Sequence, residues 1–113
     1  VGTIKTNGSA TSFNTSSDYR LKENDIPLSD ELERLSNLKP YKFNFKNDKE
    51  NIVDGFFAHE VQEFVPNAVS GVKDGEEMQQ IDHSKLVPLL VASIQELSQK
   101  NEALEKRIEE LEK

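Results

Sequence analysis

The apolar pattern is strongest near the carboxyl end, where leucine recurs every seven residues. With Val87 at heptad position a, the a and d positions hold one asparagine and otherwise apolar residues: Val87, Leu90, Ile94, Leu97, Asn101, Leu104, Ile108 and Leu111. This stripe predicts a helix over 86–113 that forms a parallel coiled coil, in which the buried asparagine fixes the register. The pattern therefore predicts an oligomer. Branched residues at a with leucine at d favour two strands, but the heptads alone do not decide between dimer and trimer.

Charges flank this stripe in an order that suits parallel pairing. Lys100 and Arg107 fall at position g, and Glu105 and Glu112 fall at position e. Opposite charges at g and at the following e of a neighbouring helix attract each other in a parallel coiled coil. Pro88 removes one backbone donor near the start of the helix, so a slight kink is expected there.

In the middle of the chain, the spacing of apolar residues changes several times between that of a helix and that of a strand. This pattern predicts an α+β unit. Leucines at helical spacing after Ser29 predict a short helix that Ser29 caps and Pro40 ends. The alternating Tyr41, Phe43 and Phe45 predict a strand that pairs in a hairpin with a strand near 52–53. A second short helix is expected over 57–65, and a turn over 71–75 leads to a strand near 78–81. The aromatic residues of this zone are expected to form its core: Tyr41, Phe43, Phe45, Phe56, Phe57 and Phe64.

The amino-terminal stretch is polar and β-prone. Asn7 and Gly8 lie between 3–6 and 9–13 and predict a hairpin with a two-residue type I′ turn. Such a hairpin buries little apolar surface and needs a larger body to lean on. The chain begins at Val1, inside this strand pattern, as expected of a piece of a longer polypeptide. We therefore expect three parts: 1–16 as the end of an upstream protein, 17–85 as the globular core, and 86–113 as the coiled-coil helix.

The composition of the chain limits the classes of function that it can have. The chain has 113 residues, is 35% hydrophobic and has a net charge of -7 with scattered basic residues. This suits one small domain and not a nucleic-acid binder. There is no cysteine and no apolar run of the roughly 18 to 20 residues that would span a membrane. His59 and His83 are the only histidines, and neither has a second histidine at metal spacing, so we expect no metal and no cofactor.

One run of residues carries candidate chemistry. Ser17 is a potential nucleophile, and Lys22, five residues later, is a potential base if its surroundings favour the uncharged amine. An extended strand would separate the two side chains by roughly 16 to 17 Å, and a helix would place them about 140° apart. They must therefore meet across a turn, or the lysine must come from a neighbouring chain. By itself the run favours a structural role, because Ser17 and Asp18 also suit a turn or a helix cap.

Three segments in this order resemble a known family. They are 17–22 (Ser-Asp-Tyr-Arg-Leu-Lys), 55–62 with Pro66, and 81–90 leading to 94–97. Together they are similar to the carboxy-terminal intramolecular chaperone domain of phage tailspikes, tail fibres and neck appendages. The resemblance covers about 15–97. The family often has glutamine where this chain has His59, a difference that touches no catalytic residue.

The resemblance implies a homotrimer that helps the preceding fibre protein to fold and is then released by self-cleavage. It implies cleavage between Ser16 and Ser17, with Ser17 as the nucleophile and Lys22 as the base. Asp18 and Arg20 match supporting positions: Arg20 to hold the peptide or stabilise the oxyanion, Asp18 to orient a donor. The partners would be further copies of the chain and the upstream fibre domain. Assembly would take place in the host bacterial cytoplasm, and the parent protein would enter the virion.

Two other functions stay open from the sequence. One is an oligomerisation module without enzymatic activity, in which 17–22 is only structural. The other is the related self-cleaving trimerisation domain that releases a membrane-tethered eukaryotic transcription factor. The polar hairpin at the amino end suits the end of a fibre better than a tether, which favours the phage context.

Overall fold

The described residues, 2–6, 8 and 11–113 of a computed structural model, form antiparallel hairpins and helices. In chain order the elements are β1 (Gly2–Thr6), β2 (Thr11–Thr15), α1 (Leu32–Ser36), β3 (Tyr41–Phe45), β4 (Asp48–Gly55), α2 (Ala58–Phe64), β5 (Val69–Ser70), β6 (Gln80–Ile81) and α3 (Val87–Glu112). Short 3-10 turns cover Tyr19–Leu21, Pro66–Ala68 and His83–Leu86. The predicted α+β class is confirmed.

The first hairpin differs from the prediction in its connection. β1 and β2 pair antiparallel, and Thr6 lies opposite Thr11 in the register. The connection is therefore longer than the two residues of a type I′ turn, and the second strand starts two residues later than expected. Of the Asn7-Gly8 pair predicted to form the turn, Asn7 lies outside the described residues. Gly8 has a positive φ of 91°, a conformation that glycine adopts without strain.

The short helix α1 is capped from another element. Its N-cap is Glu31, and Ser29 makes no cap, so that prediction was wrong. The backbone N–H groups of Glu31 and Leu32 instead donate to Oε2 of Glu96 in α3, at 2.9 and 3.1 Å. A carboxylate at a helix N-terminus satisfies donors that have no partner within the helix. Glu96 thereby ties α1 to the long helix.

The core is small and aliphatic. Its buried residues come from α2, the segment that follows it, the 3-10 turn His83–Leu86 and the start of α3: Val61, Val65, Ala68, Leu86 and Leu89. The predicted aromatic core is correct only in part. Phe56 and Phe64 pack against this cluster, whereas Phe45 and Phe57 are 61% and 49% exposed. Rings of the β3–β4 hairpin contact one another instead, with Phe43 and Phe45 in an edge-to-face pair at 5.3 Å.

The long helix α3 has two apolar sides. One side, marked by the buried Leu89, Ala92 and Ser93, packs towards α1. The predicted heptad stripe lies about 110° around the helix from that side. Every apolar residue of the stripe is substantially exposed: Val87, Leu90, Ile94, Leu97, Leu104, Ile108 and Leu111. Leaving such a stripe uncovered is unfavourable in water.

Two details of α3 concern residues that the sequence analysis singled out. Pro88 lies in the first turn of the helix. There its missing N–H removes no bond within the helix, so the reason for a kink disappears. Lys100, expected at an interhelical pair, lies 3.4 Å from Glu96 one turn earlier in the same helix.

Candidate active site

Ser17 and Lys22 meet within one chain. Lys22 Nζ donates a hydrogen bond to Ser17 Oγ at 2.7 Å. The contact is possible because Tyr19–Leu21 forms a 3-10 turn, in which Leu21 N–H and Lys22 N–H donate to the carbonyls of Asp18 and Tyr19. The turn shortens the path between the two side chains far below its extended length. The sequence left open either a turn within one chain or a lysine from a neighbouring chain. This chain has the turn.

Asp18 and Arg20 hold this turn in shape. The Asp18 carboxylate accepts a bond from Arg20 N–H at 2.9 Å and caps the turn. The Arg20 guanidinium also binds the carboxylate twice, through Nε at 3.0 Å and Nη2 at 2.9 Å. These bonds to Arg20 hold the pKa of Asp18 below its usual range, and the carboxylate raises the pKa of Arg20. Since the guanidinium is bound to Asp18, the structure favours a positioning role for Arg20.

Ser17 opens onto a groove of about 640 Å³. The apolar part of the lining includes Leu28, Val65 and Leu89, so the groove lies against the core. Its polar lining consists of Ser17 and four further side chains from separate parts of the chain: Arg34, Asn67, Ser84 and Lys85. Lys22 is absent from this lining. Ser17 therefore contacts Lys22 through its hydroxyl and also lines a groove whose surface is mostly apolar.

Two of these polar side chains are held by other groups. Arg34 Nε lies 2.7 Å from a carboxylate oxygen of Glu31, and Arg34 Nη1 lies 3.4 Å from the carbonyl of Phe64. The Ser84 hydroxyl donates to Asp82 at 2.5 Å. The bonds from the Ser84 hydroxyl and from Ser84 N–H lower the pKa of Asp82, and the positive charge of Lys85 adds a smaller effect in the same direction. Asn67 and Lys85 have no side-chain hydrogen bond to another described residue.

The predicted site residues are brought together only in part. Ser16, Ser17, Asp18, Arg20 and Lys22 form one exposed turn. The heptad residues lie along α3, and only the first of the stripe, Val87, also lines the groove. No role was predicted for Arg34, Asn67 or Lys85. The one feature of the sequence that could have indicated a role for Lys85 is its position in the third motif of the resemblance, 81–90.

The other candidate residues have ordinary surroundings. His59 lies 6.1 Å from the Phe57 ring and His83 lies 6.3 Å from the Phe56 ring, measured between ring centres. Within the described part of the chain, no three acidic or histidine side chains are grouped so as to bind a metal ion. Over the same residues, no helix has both the length and the apolar character needed to cross a membrane.

Comparison with protein families gives one match. Residues 17–70 match the model of a family that is described as the chaperone of endosialidase and is named as a peptidase family. The match begins at Ser17 and includes the Ser17–Lys22 turn, the β3–β4 hairpin and α2. It confirms the resemblance to the carboxy-terminal intramolecular chaperone domain and supports a chaperone role in phage fibre folding. No curated protein matches the chain.

Proposed function

We propose that the chain is a self-cleaving intramolecular chaperone, which assembles as a homotrimer, assists the folding of the fibre or appendage protein that precedes it, and is released by cutting between Ser16 and Ser17. The observation that carries the proposal is the 2.7 Å contact between Lys22 Nζ and Ser17 Oγ. A second support is the family match that starts at Ser17. Folding would precede release, in the host cytoplasm during virion assembly.

The cleavage chemistry follows from the dyad. Uncharged Lys22 takes the proton of the Ser17 hydroxyl while Oγ bonds to the carbonyl carbon of Ser16. The carbonyl oxygen of Ser16 carries the negative charge of the tetrahedral intermediate. The bond from that carbon to Ser17 N then breaks, and protonated Lys22 gives its proton to the leaving nitrogen. The product is an ester of Ser16 on Ser17 Oγ with a free Ser17 amine.

Water completes the reaction. Its oxygen bonds to the ester carbonyl carbon, the bond to Ser17 Oγ breaks, and a proton restores the hydroxyl. One peptide bond and one water molecule become a carboxylate at Ser16 and an ammonium at Ser17, which takes up the proton that the carboxylic acid releases. Because Ser16 and Ser17 are exposed in the structure, water reaches this ester without a change of fold.

The homotrimer is supported by the uncovered stripe of α3. Its leucines and isoleucines are 42–76% exposed, and the single polar position is Asn101. Parallel association would bury the stripe and leave the side with Leu89, Ala92 and Ser93 packed towards α1. Three copies brought together at α3 would also hold three upstream chains close to one another, which is what assembly of an intertwined fibre requires.

The test of self-cleavage is intact-mass spectrometry of the chain joined to its natural upstream protein, followed over time under native conditions. Wild type should yield a fragment beginning at Ser17, whereas Ser17→Ala and Lys22→Ala should stay full length. Lys39→Ala, which changes a lysine outside the turn, should cleave as wild type does. A full-length mass for wild type, with the upstream protein correctly assembled, would contradict the peptidase and leave an oligomerisation module without enzymatic activity.

A mixing experiment tests whether the dyad forms within one chain. Ser17→Ala and Lys22→Ala chains, unfolded together and refolded as mixed oligomers, should not cleave, because neither chain contains both groups. Cleavage in the mixture would mean that the lysine comes from a neighbouring copy. An isotope-labelled Lys22→Ala chain would identify which chain had been cut.

A further inference from the structure

The third sequence motif places a second lysine at the groove of Ser17. Lys85 belongs to the 3-10 turn His83–Leu86, and both it and Ser17 line the groove. The family match ends at residue 70, so this lysine lies outside the matched segment. The cleavage dyad does not use it.

The backbone holds Lys85 in a fixed place. Asp82 caps the turn by accepting from Ser84 N–H at 3.1 Å, and Lys85 N–H donates to the Asp82 carbonyl at 3.1 Å. The next residue, Leu86, is a buried member of the core. A side chain whose backbone is fixed on both sides is suited to a role that requires position.

The charge of Lys85 is available in the groove. Arg34 is bound to Glu31 and to the carbonyl of Phe64, and the Ser84 hydroxyl is bound to Asp82. Lys85 has neither a hydrogen bond nor an ion pair to another described side chain, although its charge acts on the nearby Asp82 carboxylate. Its ammonium can therefore donate to a group that enters the groove. Among the polar residues of the groove, only Asn67 shares this property, and it carries no charge.

Cleavage at Ser17 would be accelerated by such a donor. Attack on the Ser16 carbonyl develops a full negative charge on its oxygen, next to the Ser17 side chain. Donors aimed at this oxygen are often the largest single contribution to catalysis of acyl transfer. Lys22 is occupied with the Ser17 hydroxyl, and Arg20 with Asp18. Neither is positioned as the donor in this structure.

We propose that Lys85 is a further catalytic residue, whose ammonium donates to the oxyanion that develops on the Ser16 carbonyl during self-cleavage. The inference rests on the proposed function and adds a residue to it. Lys85 binds the oxygen while Lys22 moves the proton, and Lys85 keeps its own protons throughout. Without Lys85 the reaction proceeds slowly, whereas without Ser17 or Lys22 it does not proceed.

The test is the rate of cleavage of Lys85→Met and Lys85→Arg, followed by intact mass. Lys85→Met keeps the length of the side chain without its charge and should cleave about a hundredfold more slowly than wild type. Lys85→Arg retains a cationic donor and should recover most of that loss. Lys73→Met, a lysine of the 71–75 turn, should cleave at the wild-type rate. Circular dichroism of each variant should be unchanged.

The pH profile separates a direct role from an indirect one. If Lys85 binds the oxyanion, Lys85→Met lowers the rate at every pH and leaves the pH of half-maximal rate where it was. A profile displaced along the pH axis would mean that Lys85 acts on the base, and a wild-type rate would remove it from the mechanism. A hundredfold loss in Asn67→Ala with none in Lys85→Met would assign the oxyanion to the amide. Each of these results overturns the Lys85 role while leaving Ser17 and Lys22 as the dyad.

Discussion

At the scale of single residues, the turn between Ser17 and Lys22 depends on Asp18 and Arg20. One carboxylate accepts the Arg20 N–H and two guanidinium bonds, while the dyad side chains extend from the two ends of the same turn. Both residues are exposed, so the pair contributes little to the stability of the fold. For the proposed cleavage, the pair matters through the placement of Ser17 and Lys22, because small displacements of reacting groups reduce rates strongly.

Asp18→Asn should therefore slow cleavage by up to about a hundredfold with little change in stability. Intact-mass kinetics and a thermal melt measure the two effects. Asp25→Asn, a nearby aspartate outside the turn, should match wild type in both. If Asp18→Asn cleaves normally, the turn keeps its shape without the carboxylate, and Asp18 has no positioning role.

The pH dependence of this turn has a definite sign. The pKa of Asp18 in the folded chain is lowered by its bonds from Arg20. A carboxylate with a lowered folded pKa contributes stability above its unfolded pKa and loses that contribution as the pH falls through the folded value. The turn should thus remain intact at neutral pH and loosen only in acid below the ordinary aspartate range. NMR signals of the Arg20 guanidinium, followed during acid titration, would report this loss.

At the scale of elements, Glu96 links α1 to α3. Its carboxylate binds the first N–H groups of α1 and lies beside Lys100. These bonds, those from Leu32 and Glu31 first, lower the pKa of Glu96. By the same linkage rule, the contact is present above the unfolded glutamate pKa and is lost as the pH falls through the lowered folded value.

Glu96→Gln should loosen α1 without unfolding the core, because the neutral amide is a weaker acceptor for two backbone donors. Hydrogen exchange at the Leu35 and Leu38 amides should become faster, while exchange at Val65 stays slow. Glu102→Gln, further along the same helix, is the control and should leave all three unchanged. Unchanged exchange in Glu96→Gln would mean that packing towards α3 is enough to hold α1.

The stability of the globular part depends on the core, where α2 and α3 contact each other. Leu89 is 2% exposed and joins α3 to α2. Leu89→Ala should lower the free energy of unfolding by about 2–5 kcal/mol, since the lost side chain leaves a cavity among few neighbours. Urea unfolding measures this value. Ile26→Ala removes a side chain that is 84% exposed and should change it by less than about 0.5 kcal/mol. Similar values for the two variants would contradict the assigned core.

At the scale of the whole molecule, the elements with a strong period were predictable and the contacts between them were not. The alternation at Tyr41, Phe43 and Phe45 predicted β3, and the apolar spacing with Pro66 predicted α2 and its end. The prediction that Ser29 caps α1 was wrong because Glu96 supplies the cap. Glu96 lies 64 residues away from Leu32 in sequence, so no local pattern indicates it. The prediction of an aromatic core was correct only in part, because strand alternation shows which residues share a face and does not show whether another element covers that face.

The candidate site was predictable to a similar extent. The spacing of Ser17 and Lys22 suggested a pair, and strand and helix geometry limited that pair to a turn or a second chain. The 3-10 turn that joins them is stabilised by the Asp18–Arg20 contact, whose effect on the backbone no spacing of residues predicts. The groove was not predictable either, because its lining comes from residues far apart in sequence.

The uncovered stripe of α3 carries the last prediction, which concerns assembly. Wild type should sediment as a trimer in analytical ultracentrifugation, and Leu104→Asp should sediment as a monomer, because a charge at a d position cannot be buried between helices. Leu104 is 58% exposed within one chain, so the substitution should leave the monomer folded. Gln99→Asp adds the same charge away from the a and d positions and should remain trimeric. A wild-type monomer at micromolar concentration would contradict assembly through this stripe, whereas a dimer would keep the stripe as the interface and reject the threefold state.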